Sequence, residues 1–126
     1  MYFYATKNKE ITEEKLNNAE VDNVFNEVIE VSYFRKHPNL HGQIEQYYLN
    51  KHKVSEDFEF SCLYYNLSKE ECEEILEMSK NNLLPYTQGF FFGKSTKDDN
   101  EETIECMKKL IELINDGYQV FYYSWW

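Results

Sequence analysis

The amino-acid sequence predicts an α+β protein, with one small domain over residues 1–126 and a sheet of three to five strands with two or three helices packed on it. The length of 126 residues suits one hydrophobic core and is too short for two. Hydrophobic residues make up 42% of the chain and aromatic residues 17%, which is enough apolar surface for that core. Only four glycines and two prolines occur, which argues against a turn-rich all-β sandwich or barrel.

The first part of the chain contains elements of unequal clarity. Tyr2–Thr6 is compact and aromatic, which is typical of a strand. Thr12 is followed by glutamates, and this pattern predicts the cap and first turn of a polar helix. Residues 23–34 begin with helical spacing and end with alternation, so periodicity does not decide between helix and strand. Asn39 is predicted to cap a helix whose apolar residues fall at helical spacing over 40–48.

The remainder alternates between strands and helices. Apolar and polar residues alternate over 58–64, which predicts a strand with one buried face. Ser68 and Glu71 have the spacing of a capping box, and the helix they open is expected to end near Lys80. Aromatic strands are predicted over 88–93 and 118–126.

A second long helix is predicted between those two aromatic strands. Asp99 or Asn100 is expected to cap it, because acidic residues follow in the first turn. Gly117 is expected to end it in the left-handed conformation that glycine adopts without strain.

The charge balance bears on the class of partner. Lysine and arginine total 13 and aspartate and glutamate total 23, so the formal net charge is −10. A surface this negative repels nucleic-acid phosphates, so direct nucleic-acid binding is not expected. It favours a basic partner, including the nucleic-acid groove of another protein. The alternative is that the charge only provides solubility.

Cysteine usage and hydropathy indicate the compartment. Cys62, Cys72 and Cys106 are widely spaced and odd in number, which predicts buried thiols and no disulfide framework or zinc knuckle. The opening residues lack the pattern of a secretory signal, and no apolar run approaches the ~20 residues that span a bilayer. The expectation is a cytoplasmic protein that does not enter a membrane.

Few residues carry the marks of a chemical site. Arg35 is the only arginine, and its guanidinium could grip a carboxylate or phosphate, or serve a structural role among many acids. His37 and His41 lie four apart, but Pro38 intervenes and no further ligand accompanies them, so no metal or other cofactor is expected. No nucleophile–base pattern stands out, so the chain is predicted not to be an enzyme.

The segment Gly89–Lys94 superficially resembles a phosphate-binding loop. Such a loop needs four residues between its glycines and a helix that starts at once. Here three phenylalanines separate Gly89 from Gly93, in a segment predicted to be a strand. A strand that is aromatic on both faces must be covered twice, or bind a ligand or partner with one face. The same holds for the C-terminal strand with Tyr123 and Trp125.

Several segments together resemble one protein family. These are Met1-Tyr2-Phe3-Tyr4-Ala5, then Tyr33-Phe34-Arg35-Lys36-His37-Pro38-Asn39-Leu40-His41, then Leu84-Pro85-Tyr86-Thr87-Gln88-Gly89-Phe90-Phe91-Phe92-Gly93, and finally Tyr122-Tyr123-Ser124-Trp125. The chain resembles a family of small phage and prophage proteins that are often labelled phosphoglycerate kinase. Phe34 stands where that family usually has tryptophan, and residues 95–101 lack its usual tyrosines. Kinase activity is not expected, because phosphoglycerate kinases close two large domains over their substrates.

The resemblance and the composition together imply a function by binding. The leading hypothesis is a phage-type accessory protein whose acidic and aromatic surface engages a host protein, such as a component of a defence system. The alternative is a protein that sequesters a nucleotide-like ligand, held by Arg35, Asn39, His41 and aromatic residues. The sequence leaves self-association open. The residues expected to contact a partner or ligand are Tyr33, Arg35, Asn39, His41, Phe91, Tyr123 and Trp125.

Overall fold

The computed structural model describes residues 1–55, 58–87 and 95–125. These residues form a four-stranded sheet of order β2-β1-β4-β3 in which all neighbouring strands are antiparallel. The predicted α+β class is therefore confirmed. The elements are β1 (Tyr2–Thr6), α1 (Glu13–Asn17), α2 (Val24–Glu27), β2 (Ile29–Tyr33), α3 (Pro38–His52), β3 (Tyr64–Leu67), α4 (Lys69–Lys80), α5 (Lys97–Asn115) and β4 (Gln119–Tyr123).

The main core lies between one face of the sheet and the three longer helices, α3, α4 and α5. Strand alternation sends Phe3, Tyr122 and Tyr65 from three adjacent strands to this face. Each helix supplies fully buried residues that meet them, namely Leu40 and Ile44 of α3, Cys72 and Ile75 of α4, and Met107 and Leu110 of α5. The apolar periodicity of the sequence therefore encodes this layer.

The capping residues confirm several predicted boundaries. The Thr12 hydroxyl accepts a hydrogen bond from the Lys15 N–H at 3.2 Å. The Ser68 hydroxyl accepts from the Glu71 N–H at 3.1 Å, and Glu71 Oε1 accepts from the Ser68 N–H at 2.9 Å. These two bonds form the predicted capping box, and its helix ends at Lys80 as expected. Gly117 follows α5 with φ of +94°, which is the left-handed stop that the sequence predicts.

Two predicted caps are wrong. Helix α5 begins at Lys97 because Thr96 caps it. Asp99 is the third residue of the helix, and its carboxylate accepts a hydrogen bond from the Thr96 N–H at 2.7 Å. Helix α3 begins at Pro38, with His37 as the flanking residue. Proline suits the first helical position because its missing N–H has no intrahelical partner there. Asn39 therefore lies inside the helix, and its side chain is used elsewhere.

The strand predicted over 58–64 is displaced toward the C-terminus. Residues 58–63 form no regular element, and β3 starts at Tyr64. Cys62 interrupts the extended backbone with φ of +58°, and its N–H donates to the Ser124 carbonyl at 2.7 Å. Cys62 is also exposed, so the prediction of three buried thiols holds only for Cys72 and Cys106. The strand predicted over 88–93 lies outside the described residues.

The sheet has a second, smaller cluster on the face opposite the three longer helices. Phe121 is fully buried there against Ile11 and Leu16, which belong to the segment around α1. Helix α1 also closes the β3 edge of the sheet. The Asn17 side chain accepts from the Tyr64 N–H at 2.6 Å and donates to the Tyr64 carbonyl at 3.0 Å. Glu13 Oε2 accepts from the Asn66 N–H at 2.7 Å.

Candidate functional site

A row of four tyrosines crosses the sheet on the face that carries the smaller cluster. In the strand register Tyr33 lies opposite Tyr2, Tyr2 lies opposite Tyr123, and Tyr123 lies opposite Tyr64. Residues directly opposite each other in antiparallel strands point to the same face. All four strands therefore contribute one phenol to this tyrosine row, which consists of Tyr33, Tyr2, Tyr123 and Tyr64.

Ring contacts hold the tyrosine row together at both ends. The ring centroids of Tyr2 and Tyr33 are 4.9 Å apart, and those of Tyr64 and Tyr123 are 4.4 Å apart. Tyr33 is 51% exposed, and the other three are partly buried. Burial raises the pKa of the Tyr64 and Tyr123 hydroxyls, so both remain protonated donors at neutral pH. The row thus offers apolar rings with polar tips at the surface, which suits protein contacts.

The rest of this sheet face is covered by the segment around α1 and α2. The row next to the tyrosines contains Tyr4 and Phe121, which are 4% and 0% exposed. Phe25 of α2 lies against Tyr4, with ring centroids 6.2 Å apart, and is itself 76% exposed. The open part of the face is therefore the tyrosine row together with Phe25.

Acidic side chains are exposed on the segment that covers the rest of this face and at its junction with β2. Four exposed carboxylates on or next to the covering segment form what we call the acidic rim: Glu20, Asp22, Glu27 and Glu30. Glu30 lies opposite Tyr4 in the sheet. Glu20, Asp22 and Glu27 line one surface groove. Among the described residues that line this groove, the only lysine is Lys15. These four carboxylates make the surface of the covering segment acidic, in keeping with the overall charge of −10.

Asn39 and His37 hold the two segments that flank residues 88–94. Asn39 Oδ1 accepts from the Thr87 N–H at 2.9 Å, and the Asn39 N–H donates to the Ser95 hydroxyl at 3.1 Å. The Ser95 hydroxyl lies 2.7 Å from His37 Nδ1. His37 and Asn39 at the start of α3 thus form a clamp with Thr87 and Ser95, on either side of residues 88–94.

His41, the third predicted polar ligand, lies in the core. Its ring is fully buried, stacks on Phe60 with centroids 5.2 Å apart, and places Nδ1 2.7 Å from the Tyr122 hydroxyl. Burial lowers the pKa of His41 to about 3, so the ring is neutral at physiological pH. This arrangement favours a structural role and gives His41 no access to a ligand.

The other predicted site residues are dispersed. Arg35 is exposed and forms no ion pair within 4.0 Å among the residues that the structure describes. Trp125 is 63% exposed and lies two residues beyond β4. Phe91 lies outside the described residues. The structure therefore brings Tyr33 and Tyr123 together in the tyrosine row and does not bring Arg35, Asn39 and His41 into one cavity.

The contact between Ser95 and His37 has the residue types of a nucleophile and a base. His37 is fully buried, and burial lowers its pKa to about 4. The Ser95 hydroxyl also accepts from the Asn39 N–H, so it is engaged in the clamp. A hydrolytic base needs an accessible ring and a third group that orients it. The geometry fits a clamp better than a catalytic pair.

The described ranges 1–55, 58–87 and 95–125 also bear on metal binding and membrane insertion. No group of three or more histidine, cysteine, aspartate or glutamate residues in these ranges is arranged to hold a metal ion. None of their helices combines the length and hydropathy that a bilayer-spanning helix needs.

Gly42 of α3 provides a test of the clamp. A Cβ atom on Gly42 would lie 2.1 Å from Thr87 Oγ1 and 3.0 Å from Thr87 Cβ, and Thr87 is held by Asn39 and by the Pro85 carbonyl. We expect Gly42→Ala to lower the unfolding free energy by about 1–3 kcal/mol, although alanine favours a helix by about 1 kcal/mol. Urea denaturation measures this change.

The matched control for Gly42→Ala is the double variant Gly42→Ala/Thr87→Gly. Removing the Thr87 side chain relieves the clash, so most of the loss should be recovered relative to Thr87→Gly alone. A Gly42→Ala protein as stable as the wild type would contradict the clamp.

Sequence reasoning missed Tyr2, Tyr64 and Phe25. The sequence predicts strands around Tyr2 and Tyr64, but it does not specify the register that aligns them with Tyr33 and Tyr123. Phe25 fell in the segment where periodicity was undecided, and the structure places a helical turn and then β2 there. The one indication of these residues in the sequence is that four separate aromatic segments each contain tyrosine.

Comparison of the chain with protein-family models, with curated proteins and with solved structures finds no match. The resemblance to the phage protein family therefore stays a prediction that depends on the quoted motifs.

Proposed function

We propose that the chain is a non-catalytic binding protein that engages another protein through the tyrosine row, Phe25 and the acidic rim. The observation that carries this proposal is the register that places Tyr33, Tyr2, Tyr123 and Tyr64 side by side on a partly open sheet face. Tyrosine is enriched at the centres of protein interfaces, because it contributes large contact area and a hydrogen bond at low entropic cost.

The openness of this face supports a partner rather than an internal packing role. Phe25 and Tyr33 are 76% and 51% exposed, while Phe3 and Tyr122 on the helix side are fully buried. Exposing large aromatic side chains to water is unfavourable unless a partner covers them. A protein surface would bury Phe25 and Tyr33 without disturbing the main core.

The charge supports a partner with a basic surface around an apolar centre. Negative side chains around the aromatic residues would steer a basic protein toward this face and would repel nucleic acid. The resemblance to phage proteins narrows the proposal to a host protein. Inhibition of a host defence system is its specific form, in which the acidic surface occupies a groove that otherwise binds nucleic acid.

The test is affinity capture from a bacterial lysate, with and without nuclease. The wild-type chain should retain a protein in both conditions. The double variant Phe25→Ser/Tyr33→Ser should lose it, because it removes two exposed aromatic side chains while leaving the buried core intact.

The matched control is Leu83→Ser, which removes a 67% exposed apolar side chain between α4 and α5. This variant should retain the captured protein. Capture that disappears with nuclease would mean that nucleic acid bridges the two proteins, and capture that survives Phe25→Ser/Tyr33→Ser would place the interface elsewhere. Either result would reject the proposal.

A further inference from the structure

The two edges of the sheet are treated differently by the fold. The outer edge of β3 is closed, because Asn17 bonds both the N–H and the carbonyl of Tyr64, and Glu13 accepts from the Asn66 N–H. Side chains of α1 thus replace a neighbouring strand on that side. Such coverage is a recognised way of preventing another strand from adding to an edge.

No residue that the structure describes covers the outer edge of β2 in this way. Within the described ranges, β2 pairs with β1 alone, and no side chain bonds its backbone. The Phe34 N–H donates to the Met1 carbonyl at 2.9 Å, so alternation turns the N–H and carbonyl of Tyr33 away from β1. Ala5 lies opposite Ile29 on the other side of the bulge in β2. Because backbone groups alternate in direction along a strand, the N–H and carbonyl of the next residue, Glu30, also point away from β1.

A groove of about 760 Å³ runs between this open edge and α5. Val31, Ser32 and Tyr33 form its strand side. Its helix side carries four glutamates and two lysines, which are Glu101, Glu102, Glu105, Glu112, Lys108 and Lys109. Four negative and two positive charges leave a net charge of −2 on the side chains that line this groove.

We propose that the β2 edge receives an extended, lysine- or arginine-bearing segment of a partner protein, which adds to the sheet as a fifth strand. This inference rests on the proposed protein-binding function and names the kind of segment that the partner contributes. Outward backbone groups of Glu30 and Tyr33 would supply main-chain hydrogen bonds, the usual source of affinity in strand addition.

Charge decides between such a segment and a second copy of this chain. Pairing β2 with β2 of a second copy would bring together two acidic grooves and two chains that each carry −10. Like charges close to each other across paired strands are unfavourable. A basic segment instead complements the groove.

The geometry also specifies the pattern of that segment. Successive side chains of a strand point to opposite faces of the sheet. One set would face the glutamates of α5, and the alternate set would lie on the side of the tyrosine row, next to Tyr33. A segment in which basic residues alternate with apolar or aromatic residues therefore fits this edge.

The test uses an acetylated and amidated octapeptide in which lysine and valine alternate. At saturation, amide hydrogen exchange measured by NMR should slow at Tyr33, because its N–H gains a partner. Two N-methylated versions, one on the lysine amides and one on the valine amides, separate backbone pairing from charge. One version should bind at least about tenfold more weakly than the parent and the other should retain binding, because alternate amides point to opposite edges.

A pair of charge-reversal variants tests the groove. Glu101→Lys/Glu105→Lys should weaken binding of the parent peptide by about tenfold or more. Glu73→Lys/Glu77→Lys makes the same change in net charge at exposed positions of α4 and should stay within about twofold of the wild type.

Three results would overturn the strand proposal. They are equal binding of both methylated peptides and the parent, unchanged Tyr33 exchange at saturation, or Tyr33 exchange in the free chain that slows as protein concentration rises. The last result would mean that a second copy occupies the edge. Because this assay uses no captured protein, its failure leaves the lysate result for the tyrosine row unaffected, and the reverse also holds.

Discussion

Lowering the pH from 6.5 to 5 is expected to reduce the unfolding free energy by about 3–4 kcal/mol through the two buried histidines. Burial lowers the pKa of His37 from 6.5 to about 4 and that of His41 to about 3. Below pH 6.5 the unfolded chain binds both protons while the folded chain does not. The contribution of the two neutral histidines to the unfolding free energy is therefore fully present above pH 6.5. It is lost as the pH falls toward 4 for His37 and toward 3 for His41.

The neighbouring carboxyl group of Glu45 acts in the opposite direction. Its oxygen lies 3.9 Å from His41 Nε2, and burial raises its pKa. The folded chain therefore takes up this proton more readily than the unfolded chain, which adds stability as the pH falls. One carboxyl opposes two histidines, so the net effect of the three groups should still be destabilising at acid pH.

Urea denaturation at half-unit steps from pH 7.5 to 5 measures the effect, and histidine variants isolate it from the many carboxylates. His37→Gln and His41→Gln each remove one titrating ring. Each should therefore reduce the dependence of unfolding free energy on pH by about 1.4 kcal/mol per unit below pH 6. Equal pH dependence in the wild type and both variants would show that these rings do not remain neutral in the folded chain.

Phe121→Ala is expected to lower the unfolding free energy by about 3–5 kcal/mol. Phe121 is fully buried on the sheet face opposite the three longer helices, against Ile11 and Leu16. Truncation would leave a cavity between the sheet and the segment around α1, which also closes the β3 edge. Amide hydrogen exchange should therefore accelerate at Tyr64 and Asn66 as well as in α1.

Phe25→Ala is the control for Phe121→Ala. It removes the same number of atoms from a side chain that is 76% exposed, so we expect a change within about 0.5 kcal/mol. Phe121→Leu should cost about 1 kcal/mol, because leucine keeps most of the apolar volume. A loss below about 1 kcal/mol for Phe121→Ala would mean that the smaller cluster does not contribute a core of its own.

The parts of the fold that could be predicted are those encoded by neighbouring residues. Thr12, Ser68 and Gly117 act through hydrogen bonds or backbone conformations within a few positions, and all three predictions are confirmed. The prediction of the α5 cap is wrong because Thr96, Asp99 and Asn100 are all good capping residues. The sequence does not specify which of them takes the capping position, and in the structure it is Thr96. The prediction of a strand over 58–64 is wrong because Cys62 has a left-handed backbone conformation, which the alternation of apolar and polar residues does not reveal.

The candidate site could be predicted only in part, because it depends on strand register. Tyr33 and Tyr123 were named as contact residues, and they lie in one row. Their neighbours Tyr2 and Tyr64 follow from pairings between residues that are far apart in sequence, which local patterns do not specify. Asn39 and His41 were named from residue type, and the structure uses them in the clamp and the core.

The measurement that tests the central claim most directly is the dissociation constant between the captured protein and this chain, determined for the wild type, Phe25→Ser/Tyr33→Ser and Leu83→Ser at two salt concentrations. Binding through the tyrosine row and the acidic rim predicts that Phe25→Ser/Tyr33→Ser weakens affinity by at least about 30-fold, or ~2 kcal/mol. It also predicts that Leu83→Ser does not, and that salt weakens the wild-type complex. Equal affinity of all three proteins, or affinity independent of salt, would contradict it.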